Sequence, residues 1–373
     1  MYERILHNLM QIKDITTFLE SWAPLSLQEP YDNSGLLIGE KSDPVSQALI
    51  TLDITEDVID EAIETDSNFI IAHHPFIFKG IKGIGNSHWI DRCIRKAIKH
   101  DIGIYAIHTN LDNVHTGVNH KIAEKIGLKK VSILNPKTST LSKVTVFVPT
   151  DDKQKILDAM FAAGAGNIGK YDRCSFQLEG MGTFRGNETS NPTIGKAGEE
   201  QQVNETRIEV LVPDFRLNDV ISTMTHAHPY EEVAYYINPL TNVNQEIGSG
   251  MIGELVTEMT IKDFLVHLKK QMNLHIIRHT KLVKKEVRTI AICGGSGSFL
   301  LSQAIRRKAD IFITGDFKYH DFFEANGDII IADIGHYESE VFTKELILDA
   351  LTKNFTNFAF RLSKVDTNPI KYL

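Results

Sequence analysis

The sequence predicts an α/β protein: two related α/β halves forming one domain, with a ferredoxin-like α+β domain inserted between them. Three observations point there. Apolar, β-branched runs alternate with amphipathic helical patterns over residues 47–128, the order that builds βαβ units and a mainly parallel sheet. The same order returns over 287–340. Between these stretches the pattern is strand, helix, hairpin, helix, strand, the arrangement of a ferredoxin-like unit. The boundaries drawn this way are 1–139, 140–245 and 246–373.

Each element follows from local chemistry. QIKDITTFLESW starts a helix at residue 11, and the preceding MYERILHNL reads as an upstream start or a cloning remnant ahead of Met10. QALITLDI (47–54) is a strand, and Thr55 caps the helix that follows, whose first turn is acidic. NFIIAHHP is the next strand, WIDRCIRKAIKHD (89–101) a helix, and GIYAIHTNLDN (103–113) a strand ending in polar residues. TGVNHKIAEKIGL is a helix stopped at Gly127. In the second half, 287–295 and 309–321 are strands around a helix at 298–309, and 328–340 is a strand running into a helix. In the middle, 143–152 alternates as a strand, 153–166 is a helix and 171–184 a strand. The polar, Gly/Asn-rich stretch 185–205 is a hairpin tip or loop, and 206–240 repeats strand, helix, strand.

Composition narrows the function. At 373 residues and 42% hydrophobic, the chain can build two or three cores. Cys93, Cys174 and Cys293 are far apart and odd in number, which gives no disulfide framework and no CxxC knuckle. A net charge of -8 without a long Lys/Arg tract argues against a dedicated nucleic-acid binder. No apolar run nears the ~20 residues of a membrane helix, and no secretory leader is evident, so a cytoplasmic protein without a membrane partner is expected.

The chemistry lies at predicted strand ends, where α/β sheets place binding residues. IIAHHP ends an apolar run in His73 and His74, and Pro75 stops the ladder there, so both imidazoles can turn toward one site. In DIGHYESE the i,i+4 spacing sets His336 and Glu340 on one helix face. Asp112 closes HTNLDN on a neighbouring strand end. Three imidazoles and two carboxylates suit Zn, Mn, Fe or Co. Five side chains exceed one open tetrahedral site and suit two ions about 3.5–4 Å apart, with water acidified to serve as nucleophile near neutral pH. His108 and His320 are the candidate catalytic proton carriers, and Asn110 and Asp316 could line the same pocket. Asp32 and Asn33 in YDNSGLLIG approach the site or make a turn, and CGGSGSF (293–299) reads as a structural Gly-rich turn. HAHPYEE (226–232) reads as a strand-start feature rather than a metal site.

IIAHHP, HTNLDN and DIGHYESE, with YDNSGLLIG and CGGSG, resemble the motifs of the NIF-three-like family, whose bacterial members are called GTP cyclohydrolase I type 2 homologs. The resemblance spans about residues 10–135 and 248 to the end. It implies a metal-binding domain holding two divalent ions, zinc first and iron or manganese as alternatives, and a homohexameric toroid with the sites facing its cavity. The matching ligand positions are His73, His74, Asp112, His336 and Glu340. Longer members carry a middle domain like the PII and CutA proteins, which residues 140–245 resemble. The implied activity is a metal-dependent hydrolase acting on a nucleotide or another small polar substrate. GTP ring opening, by hydration at guanine C8 and loss of formate, is the specific form. The alternative is a non-enzymatic scaffold or regulator that stores, delivers or senses metal, or binds partners through the insert.

Overall fold

The Thr55 hydroxyl accepts a hydrogen bond from the Val58 amide and starts the helix Glu56–Glu64 between two strands, Ala48–Thr51 and Phe69–Ala72. This is the first βαβ unit of a computed structural model that describes residues 10–373. The segment 1–9, read above as an upstream start or cloning remnant, lies outside the described residues. The fold is mixed α/β with several sheets. The chain divides into two compact units: one runs to Asn135 and resumes at Ile247–Leu373, the other is Pro136–Glu246.

In the first unit a five-stranded sheet has the order Gly35–Ile38, Gly103–Ala106, Phe69–Ala72, Ala48–Thr51, Phe360–Leu362. Only Gly35–Ile38 is antiparallel to its neighbour. Every residue of the three central strands is buried, so they read as continuous apolar runs rather than alternating ones. Val58, Ile59, Cys93, Ile94 and Ala97 from two helices pack on Leu49, Ile70 and Ile104. A second sheet has the order Arg278–His279, Ile330–Asp333, Ile311–Gly315, Glu286–Ser296, Val243–Thr260, Lys129–Thr138. Its strands Glu286–Ser296, Ile311–Gly315 and Ile330–Asp333 are parallel.

The other unit is a four-stranded antiparallel sheet, in the order Ser175–Arg185, Glu200–Pro213, Leu141–Pro149, Tyr235–Leu240. Val144, Val146, Ile208 and Val210 bury one face beneath Ile156 and Met160 of one helix and Val220 and Met224 of another.

Several elements differ from expectation. The strand predicted to run to 113 stops at Ala106, and Thr109–Asp112 forms a helical turn, because Asp32 captures the Thr109 amide and the Leu111 and Asp112 amides turn back to the His108 carbonyl. Asp112 therefore comes from a helical turn, not a strand end. The strand expected to reach 321 ends at Gly315, and Tyr319–Ala325 coils into a tight turn. Part of the stretch read as a hairpin tip is strand, with pairing extending to Arg185 opposite Glu200. Among the described residues no helix is long and apolar enough to cross a membrane.

Candidate metal centre

His73 and His74 follow the buried strand Phe69–Ala72, and their amides still bond to the Thr51 and Leu52 carbonyls at the end of the neighbouring strand. The backbone bends there, and the two rings converge at 4.8 Å. From the second sheet, Ile330–Asp333 leads through Gly335, at φ +94°, into His336–Glu340, where one helical turn stacks the imidazole over the carboxylate. The His336 and Glu340 side chains are 3.0 Å apart, and Glu340 is buried.

Glu340 faces two groups. Its Oε2 receives His74 Nε2 at 2.9 Å and His336 Nε2 at 3.0 Å, and those nitrogens lie 3.3 Å from each other. Its Oε1 lies 3.9 Å from His73 Nε2, which is 3.7 Å from Asp112 Oδ1. His73 Nε2 and Asp112 Oδ1 are buried and without a hydrogen-bond partner. The ligating atoms of His74, His336 and Glu340 lie within 4.8 Å of one another, as do those of His73, Asp112 and Glu340, and both groups could hold a metal ion.

Each imidazole is oriented from behind, as metal-binding histidines are. His73 Nδ1 donates to the Ile107 carbonyl at 2.8 Å, which fixes its tautomer with a bare Nε2. His74 Nδ1 bonds Asp53 at 2.7 Å, and His336 Nδ1 bonds Asp316 at 2.7 Å. Burial alone would lower the two imidazoles, but the Asp53 and Glu340 carboxylates hold His74 up at about 9, and Glu340 with Asp316 holds His336 up at about 11. Burial pushes Asp112 up, and it pushes Glu340 the same way, but the surrounding imidazoles hold Glu340 well below the usual carboxylate range. Two carboxylates beside bare or protonated imidazoles are a donor set that a cation would satisfy.

His108 stands at the rim, its ring 5.3 Å from His73 and 5.2 Å from His74. Its Nδ1 donates to buried Asp32 at 2.8 Å, which also accepts from the Thr109 amide and hydroxyl and from Ser34. Asn110 is structural, donating to the Ala23 carbonyl at 2.6 Å, and Asn33 donates to the Ile77 carbonyl. His320 is exposed against Tyr319 and Phe323, outside both ligating groups. In the separate unit, His228 Nε2 donates to the Phe147 carbonyl.

Sequence reasoning passed over Asp53, Thr367 and the reason for Gly295. Asp53 falls inside the stretch 47–54 read as a strand. A Cβ on Gly295, at φ +60°, would strike Glu340 Oε1 and crowd His336, so the Gly-rich turn is where backbone passes under the ligands. A Gly-Gly pair at the end of an apolar strand was the available signal.

The sequence pattern of the Duf34/NIF3 (NGG1p interacting factor 3) family matches residues 10–369. The chain belongs to the Duf34/NIF3 family. A relative named "GTP cyclohydrolase 1 type 2 homolog" from Halalkalibacterium halodurans is 38% identical over 364 residues, 96% of this chain and 98% of its own. One of the same name from Bacillus subtilis is 37% identical over 367 residues, 97% and 98% of the two chains. The crystal structure of a Bacillus cereus protein related to NIF3 aligns at a TM-score of 0.87 with 37% identity, covering 98% of this chain and 100% of that one. Staphylococcus aureus protein SA1388 aligns at 0.77 with 32% identity, covering 98% and 99%. The Duf34/NIF3 assignment thus covers both sheets of the first unit and the residues between them.

Proposed function

We propose that His73, His74, Asp112, His336 and Glu340 hold two divalent transition-metal ions, zinc first and iron or manganese as alternatives. The protein is then a metal-dependent hydrolase of a nucleotide or another small polar substrate. The observation that carries this reading is the pair of buried, unpartnered ligand atoms, His73 Nε2 and Asp112 Oδ1. They face one oxygen of a glutamate whose other oxygen serves two more imidazoles. Bound ions would supply Lewis acidity, polarising the substrate and making water a better nucleophile. The chain's own part is orientation and proton traffic. Asp32 fixes the His108 ring through Nδ1 and leaves Nε2 free to take a proton from the attacking water and return it to the departing nitrogen or oxygen.

The name shared by the relatives supports putting guanine-ring opening first among the possible hydrolyses. In the second unit the strands stand in the spatial order second, third, first, fourth, which supports reading it as an inserted ferredoxin-like domain of the PII/CutA kind. The assembly in this reading is a homohexamer.

The test is elemental analysis of protein purified without added metal, beside Asp112→Ala and His336→Ala. The expected result is about two transition-metal ions per chain, fewer in each variant, and formate release from GTP reduced by about 100-fold or more in both. Metal-free wild-type protein, or equal content in all three proteins, would remove the reading.

A further inference from the structure

The segment after the strand Phe360–Leu362 runs on from the first sheet and reaches the helix that follows the second. Its start is anchored where the Ser363 hydroxyl and the Lys364 amide donate to Glu61. The Thr367 hydroxyl then donates to Asp53 Oδ2 at 2.5 Å, while Asp53 Oδ1 holds His74 Nδ1 at 2.7 Å. One residue later, Asn368 Nδ2 donates to Glu338 Oε1 at 3.1 Å, on the helix that carries His336 and Glu340.

We infer that residues 363–373 are a strap that sets one of the two ion positions, with Thr367 as its positioning residue. Resting on the metal reading above, the inference adds selectivity between the two ligand groups. The chain Thr367, Asp53, His74 ends in the group His74, His336, Glu340, and the bond to Glu338 braces the helix bearing His336, which belongs to that group and not to the other, and Glu340, which the two share. The group His73, Asp112, Glu340 is oriented otherwise, since His73 leans on the Ile107 carbonyl and Asp112 stands on the helical turn after His108. Without the Thr367 donor, the Asp53 carboxylate keeps its bond to His74 but is free to rotate, and the imidazole with it. Outer partners of metal-binding histidines commonly contribute 10–100-fold in affinity. Thr367 is one bond further out, so its effect belongs at the low end.

The experiment is stepwise zinc titration of the full chain against a competing chromophoric chelator, which yields two dissociation constants. Thr367→Val keeps shape and removes the donor, and Thr367→Ser keeps the donor. The expected result is one constant weakened about tenfold in Thr367→Val and restored in Thr367→Ser, with the other constant unchanged. Two wild-type constants in Thr367→Val, or equal weakening of both, would overturn the strap while leaving the dinuclear reading intact. Wild-type protein that takes up no zinc would overturn both. Should Thr367→Val not fold, Asp53→Asn breaks the same relay, and the same selective weakening is required of it.

Discussion

At the scale of single residues, Asp32 does more than its place in a turn suggested. Its side chain is fully buried and accepts from His108, Thr109 and Ser34. Burial would raise its pKa, but the His108 imidazole and the Thr109 donors hold it well below the usual carboxylate range. A carboxylate depressed in the fold stabilises the native state fully above its unfolded pKa, near 3.8, and that contribution drains away as pH falls from there through the folded value. Asp32→Ala is expected to cost about 3–5 kcal/mol at neutral pH by leaving several buried donors unpaired. Urea unfolding should show the gap between variant and wild type narrowing below about pH 4. The proposed ligands follow the same direction toward metal. Imidazole nitrogens must lose their protons to bind it, so zinc affinity should fall steadily as the solution is acidified.

At the scale of elements, the turns carry the site. Two glycines in the left-handed region separate backbone strain from ligand crowding. Gly127, at φ +82°, ends a helix with open space where a Cβ would stand. Gly295, at φ +60°, has Glu340 and His336 there instead. Both alanine variants should lose about 1 kcal/mol from backbone strain. Only Gly295→Ala should also lose zinc, as read by metal content after dialysis; equal zinc in the two would mean the Gly-rich turn does not support Glu340. The pairing of His336 with Glu340 was legible because a helical period is a local property. The helical turn bearing Asp112 was not, because what ends the strand at Ala106 is the distant Asp32 carboxylate.

At the scale of the whole molecule, every proposed ligand lies in the unit that runs to Asn135 and resumes at Ile247, and none in Pro136–Glu246. Metal bound only by the native state stabilises the unit that holds it, by about 2.7 kcal/mol at a free concentration 100 times the dissociation constant. Calorimetry with and without a chelator should therefore show one transition moving with zinc and a second, from residues 136–246, staying in place. A single transition shifting as one would mean that the two units unfold together. Light scattering tests the proposed hexamer, with a mass near six times 42.0 kDa expected.

Residue periodicity by itself determined the α/β character of this chain, and its motifs gave the resemblance to the Duf34/NIF3 family and five candidate residues with ligand chemistry. These are properties of neighbours along the chain: an apolar run that must be buried, a helical period, a histidine pair before a proline. Only the tertiary structure decided which groups orient those residues. Asp53 meets Thr367 across 314 residues, and His74 meets Glu340 across 266. A hydrogen bond between groups so far apart leaves no local pattern, because nothing near Asp53 or Thr367 along the chain marks the pair until the strands Ala48–Thr51 and Phe360–Leu362 lie side by side in one sheet.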